Sequence, residues 1–239
     1  MARVLLMLLA ALLVVGQARA QTEVRIVAAE ASSFIDWQCV PENAYDGIAD
    51  GTNGTSWQTA GNSKYQAGKD DSPWIAFRLE GDDPWNIGEL KVWNFQEPAG
   101  HNPRGIYEVR ILVSTDTGPD LKDYNFTPLP GLDPVNAPGV YRFDPAGPAY
   151  DASFIPVAQT ICFDAVAVTA VKFEILSNWY WGWYGYESAN FALENTPIEE
   201  AWAFVSYVGL CEVKFFQVPE PATMSLLALG GLALLRRRK

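Results

Sequence analysis

The chain of 239 residues has one histidine, His101, and three cysteines, Cys39, Cys162 and Cys211, with no Cys-x-x-Cys pair. That leaves too few ligands for a zinc centre built from Cys and His. There is no Gly-x-Ser-x-Gly, no His-Glu-x-x-His, no glycine-rich phosphate loop and no dinucleotide fingerprint, so the nucleophile-elbow, zincin, P-loop and Rossmann chemistries have no signature. Long segments of helical period are missing. The apolar runs at residues 4–15 and 222–235 hold 12 and 14 residues, short of the roughly 20 that a spanning helix needs. Basic residues are scarce, 17 against 28 acidic.

The two apolar runs lie in terminal segments with their own logic. Residues 1–20 read as a secretory signal peptide: Arg3, an unbroken apolar run, then Ala18-Arg19-Ala20 before the expected cleavage at Gln21. At the other end Val218-Pro219-Glu220-Pro221 precedes the uncharged run and Arg236-Arg237-Arg238-Lys239. The prolines stop any preceding element, the run can form a short helix, and the basic cluster keeps to the cytoplasmic side. Pro-Glu-Pro, apolar helix and arginine tail, in that order, resemble the PEP-CTERM sorting segment of Gram-negative bacteria. The resemblance implies transient insertion in the inner membrane, recognition by an exosortase that cuts near Pro219, Glu220 and Pro221, and a final place at the cell surface or outside the cell. An ordinary C-terminal anchor is the alternative. Residues 1–20, 21–217 and 218–239 are thus expected to be signal peptide, domain and sorting segment.

Six of the 17 basic residues (Arg3, Arg19, Arg236, Arg237, Arg238 and Lys239) lie outside residues 21–221, the expected mature part up to the sorting cut, which keeps 11 basic against 28 acidic residues, a net charge of −17. Nucleic acid is excluded as a partner, because phosphate binding needs a basic face. About 200 residues suffice for one domain with a sizeable core. Export permits a disulfide among the three cysteines, with the pairing open.

Between the termini, runs of β-branched and aromatic residues alternate with turn signals, chiefly at residues 74–79, 87–95, 106–114, 168–176 and 208–216. Alternation places Tyr107, Val109, Ile111 and Val113 on one face, Glu108 and Arg110 on the other. Residues 116–164 are a Pro/Gly-rich excursion with one or two short strands expected. The pattern predicts an all-β, antiparallel sandwich with one buried face per sheet.

The order of these pieces resembles the discoidin, or coagulation-factor type C, domain, a galactose-binding-like jelly roll shared with family 32 carbohydrate-binding modules. The residues that carry the likeness are Asn43-Ala44-Tyr45-Asp46-Gly47, Thr55-Ser56-Trp57, Pro73-Trp74 with the strand that follows, the hairpin around Arg104-Gly105 ending in Val-Ser-Thr-Asp, and the two last strands. The first loop is about three residues longer than usual in the family, and residues 178–206 are enlarged.

Residues 43–55 combine Asp46, Asp50, Asn53 and Thr55 with Gly47, Gly51 and Gly54, oxygen donors on a chain able to wrap tightly around calcium. A solvated Asp/Gly turn is the other reading. The resemblance implies a structural calcium held by Asp46 and Glu212 carboxylates, Thr55 hydroxyl and carbonyl, and the backbone carbonyls of Asn43 and Cys211, with Asp50 as a substitute ligand. Six aromatic residues crowd positions 178–187, among them Trp179, Tyr180, Trp181, Trp183 and Tyr184. Such a loop either caps the core or exposes rings that meet sugars, with His101 and Arg104 as polar partners; structural or solvated roles for those two are the alternatives. The expected function is an exported surface or biofilm-matrix protein that binds exopolysaccharide and is not an enzyme. A structural surface protein without a small ligand, and then a glycan hydrolase using paired carboxylates, are the alternatives.

Overall fold

A computed structural model describes residues 21–49, 54–60, 70, 72–95, 104–132, 138–143, 157–178 and 207–218. The two terminal segments, with their expected helices, lie outside them. The strands are β1 Thr22–Val24, β2 Ile26–Ala31, β3 Trp57–Gln58, β4 Trp74–Leu79, β5 Trp85–Asn94, β6 Ile106–Ser114, β7 Thr127–Pro128, β8 Val140–Arg142, β9 Gln159–Val168, β10 Ala170–Asn178 and β11 Gly209–Gln217. One sheet runs β1-β11-β5-β9 with β3 on β11; the other runs β2-β4-β10-β6-β7 with β8 on β6, and the strand pairings within both are antiparallel. The chain changes sheet at nearly every connection, giving the all-β antiparallel sandwich that the alternation predicts, in the jelly-roll form that the resemblance implies.

The core lies between the sheets. Ile75, Phe77 and Leu79 of β4 and Val171, Phe173 and Ile175 of β10 face Leu90 and Val92 of β5 and Val213 and Phe215 of β11. Phe77 sits edge-on to Phe173 at 5.8 Å and tilted to Phe215 at 5.9 Å. The second contact joins the two layers, the arrangement aromatic quadrupoles favour.

One local feature departs from the sequence reading. In β6, Val109, Ile111 and Val113 face the core as expected, but Tyr107 does not; Ile106 takes the inward place. The register with β10 shifts on both sides of Ser177, and such a bulge resets which side chain faces in. Tyr107 instead lies under the Arg142 guanidinium at 5.9 Å. Cys39 and Cys211 are buried and Cys162 is exposed.

Strand direction gathers the long connections. Asn178, where β10 ends, pairs with Ile106, where β6 begins. Leu210 pairs with Asn94, the end of β5, Gly209 pairs with Gln58, and Gly105 bridges Gly209. The connections 95–105 and 179–208 therefore spring from one end of the sandwich, which also carries β3.

Candidate metal and ligand site

The first loop and the last strand meet at Glu212. In β11, Leu210 stands opposite Asn94 and Glu212 opposite Trp93, so Cys211 is an extra, bulged residue. The bulge keeps Leu210, Val213 and Phe215 in the core and turns Glu212 to the loop. Glu212 is 3 % exposed, and its carboxylate accepts the Gly47 N–H at 3.1 Å. Gly47 has φ +87°, a left-handed conformation that a side chain would strain. Asp46 closes the turn by accepting the Ile48 N–H at 2.7 Å. On the other limb of the loop, the Asn43 amide donates to the carbonyls of Gln38 at 2.5 Å, Gly54 at 2.9 Å and Ser56 at 3.4 Å. It thereby clamps the chain on both sides of Thr55.

The electrostatics of this junction are unbalanced. Burial pushes the Glu212 carboxyl from its ordinary 4.5 up to about 7; the Gly47 N–H and Lys214 pull it down, and the Asp46 and Glu23 charges push it up. Burial, with Glu42 beside it, also raises the Tyr45 phenol. Glu23, Arg25, Tyr45, Glu212 and Lys214 line an open cleft of about 380 Å³. Beside Thr55, the Ser56 hydroxyl is buried without a hydrogen-bond partner.

The end of the sandwich that roots the long connections is a buried polar frame. Asn94 donates to the Ile106 carbonyl at 2.7 Å and accepts the N–H groups of Phe95 at 2.9 Å and Ile106 at 2.8 Å. Asn178 donates to the Tyr207 carbonyl at 3.0 Å. Thr59 exchanges hydrogen bonds with Val208. Arg104 donates to the Gln58 side-chain carbonyl at 3.0 Å, and its guanidinium stacks over the Tyr207 ring at 4.7 Å.

Of the residues singled out from sequence, Asn43, Asp46, Thr55, Cys211 and Glu212 fall on this loop and the strand it covers. The Asn43 side chain serves as a clamp. Arg104 is buried in the frame under the connections. Asp50, His101, Trp179, Tyr180, Trp181, Trp183, Tyr184, Pro219, Glu220 and Pro221 lie outside the described residues. Gln58, Asn94 and Asn178 escaped sequence reasoning, although an amide closing an apolar strand, where such residues are disfavoured, was a usable signal. Among the described residues no group of three or more His, Cys, Asp and Glu gathers as a metal cluster, and no helix is long and apolar enough to cross a membrane.

Residues 217–239 match the PEP-CTERM protein-sorting motif. The chain carries a PEP-CTERM sorting segment. It is accordingly an exported protein. No curated protein matches the chain. Among solved structures it is similar to an F5/8 type C domain from Bacteroides fragilis, at 14% identity and TM-score 0.47, over 82% of this chain and 98% of that one. It is also similar to the family 32 carbohydrate-binding module of C. perfringens NanJ in complex with galactose, at 12% and 0.45, over 80% and 93%. A third is truncated AlyQ with CBM32 and alginate lyase domains, at 15% and 0.45, over 85% of this chain and 35% of that one, so the chain spans about a third of that protein's length.

Proposed function

We propose that the mature chain is a surface or matrix protein whose looped end binds carbohydrate and whose first loop is tied to the last strand by calcium. The observation that carries the reading is the convergence of the connections. The segment holding His101 and the segment holding the aromatic run leave the sandwich through neighbouring residues, since Gly105 bridges Gly209 and Ile106 pairs with Asn178. A few polar groups among aromatic rings on a rigid base make the usual face for a sugar, whose C–H surface stacks and whose hydroxyls need fixed partners.

The donor set at Glu212 fits calcium. Two carboxylates near enough to repel, one of them buried, and an orphaned Ser56 hydroxyl are what a hard divalent cation relieves. Asp46 and Glu212 would supply charge, Thr55 its hydroxyl and carbonyl, and Asn43 and Cys211 backbone carbonyls; Asp50 belongs to the same proposal. When bound, the ion would supply only a structural tie. The protein's own contribution is the Asn43 clamp and the Gly47 turn, which hold the loop against β11. Nothing in this arrangement calls for catalysis. For the sorting segment the reading is recognition by an exosortase during transient insertion in the inner membrane, followed by transfer to the surface.

Thermal melting and tryptophan fluorescence of the purified chain test both halves. Calcium is expected to raise the melting temperature after chelation, through preferential binding to the folded state, and one member of a polysaccharide panel is expected to change the fluorescence. A chain indifferent to calcium after chelation sinks the metal half. A chain indifferent to every glycan leaves a structural surface protein as the better reading.

A further inference from the structure

Trp37 is 80 % exposed and Phe34, three residues before it, 49 % exposed. Trp57, in the strand beside them, is fully buried, so this end of the sandwich has room for a tryptophan inside and yet holds one outside. The backbone that carries Trp37 is held in place. Residues 36–39 form a turn closed by Cys39 N–H to the Asp36 carbonyl at 3.2 Å, and the Asp36 carboxylate caps it by accepting the Gln38 N–H at 2.9 Å. The base of the loop is gripped on both sides by one residue: Ile35 N–H donates to the Gln58 carbonyl at 2.9 Å, and Gln58 N–H donates to the Cys39 carbonyl at 3.3 Å. The Asn43 amide adds a third hold, on the Gln38 carbonyl.

An aromatic ring presented to water on a rigid turn binds with little loss of conformational entropy, the property that makes such rings anchors. Its position is informative too. Gln58 pairs with Gly209 and accepts the Arg104 guanidinium, so the turn stands at the same end as the roots of the long connections. Charge narrows the ligand. The mature part carries a net −17, Asp36 lies next to Trp37, and the Arg104 charge is buried under Tyr207. A polyanion approaching this end would be repelled, whereas an uncharged sugar would meet no such barrier.

We propose that Trp37, flanked by Phe34, is a preformed stacking platform for a neutral polysaccharide at the looped end of the sandwich. The inference rests on the carbohydrate reading above and adds to it both a contact residue and a ligand class. Titration calorimetry of the purified chain with a neutral glucan and with polygalacturonate tests it, alongside acrylamide quenching of tryptophan in the presence of glucan or of phosphatidylcholine vesicles. The wild type is expected to bind the glucan more tightly than the polyuronate, and glucan to shield an exposed tryptophan. Trp37→Ala should weaken binding about tenfold or more, as loss of an anchor ring does, with the melting temperature and calcium response unchanged; Trp37→Tyr should restore most of the affinity. Glucan binding unaltered by Trp37→Ala overturns the platform and leaves the carbohydrate reading standing, as does polyuronate bound as tightly as glucan for the ligand class. Shielding by vesicles and not by glucan makes the platform a lipid-facing one and overturns the proposal. No binding of either polymer by the wild type overturns the carbohydrate reading and this inference together.

Discussion

Glu212 is the residue on which the junction turns. Its folded-state carboxyl is raised to about 7 from 4.5, so the folded protein holds a proton that the unfolded chain gives up. The stability this provides is complete below pH 4.5 and is lost as pH rises through 7, a fall of about 3 kcal/mol at most at 1.36 kcal/mol per unit. In chelator, the melting temperature should therefore decline from pH 5 to pH 8. Calcium favours the ionised form and should cancel the decline, so its stabilising effect grows with pH; calorimetric melts at both pH values, with and without calcium, measure this. An equal calcium effect at pH 5 and pH 8 would place the metal elsewhere. Glu212→Gln removes the buried charge while keeping the shape. In chelator at pH 8 it should melt at or above the wild type, because an isosteric neutral group escapes the desolvation penalty, and calcium should no longer shift its melting temperature. Trp37 marks the opposite extreme at this scale, a residue whose value lies in remaining in water.

The elements are held at the looped end by groups that can be removed one at a time. Asn94 makes three buried hydrogen bonds across the start of the 95–105 connection, and Asn94→Ala should cost about 2–4 kcal/mol in urea unfolding, since the backbone groups it serves stay buried. At Gly209 a Cβ would come within 2.5 Å of the Phe95 ring. Gly209→Ala should cost roughly 1–3 kcal/mol by overpacking, and a smaller residue at position 95 should return part of it. Strands with β-branched and aromatic residues on alternate positions were legible from the sequence: 74–79 and 106–114 form with the bounds the pattern predicts. β1 and β2 were not, because a strand of three residues followed by a change of sheet at Arg25 leaves no period to read. β9 was half legible, because it lies at the outer place of its sheet, where Gln159, Thr160 and Asp164 are tolerated beside water. The first loop was visible through its Asp and Gly content, and Glu212 only through the family resemblance. Gln58 and Asn178 carried only the amide signal, because their burial comes from pairing with residues far along the chain, and Ser56 carried none. Trp37 was hidden because one aromatic residue in a turn has no pattern at all.

At the scale of the molecule, the described sandwich overlaps the matched sorting segment at Gln217 and Val218. Val218 still belongs to the sandwich: its N–H donates to the Asn86 carbonyl at 3.1 Å, and it packs against Gly88. A chain cut after Val218 should keep the melting temperature of the whole chain, yet in an exosortase-bearing host it should fail to pass through the membrane-bound stage, seen by fractionation and blotting. The net −17 of the mature part favours dispersion over self-association. The central claim, that this end of a calcium-tied sandwich binds carbohydrate, is tested most directly by calorimetric titration of the purified chain with a neutral glucan, first in calcium and then after chelation. Saturable binding in calcium that weakens when the loop loses its ion is the predicted result; no saturable heat in calcium, from a chain whose melting curve shows it folded, would contradict the account.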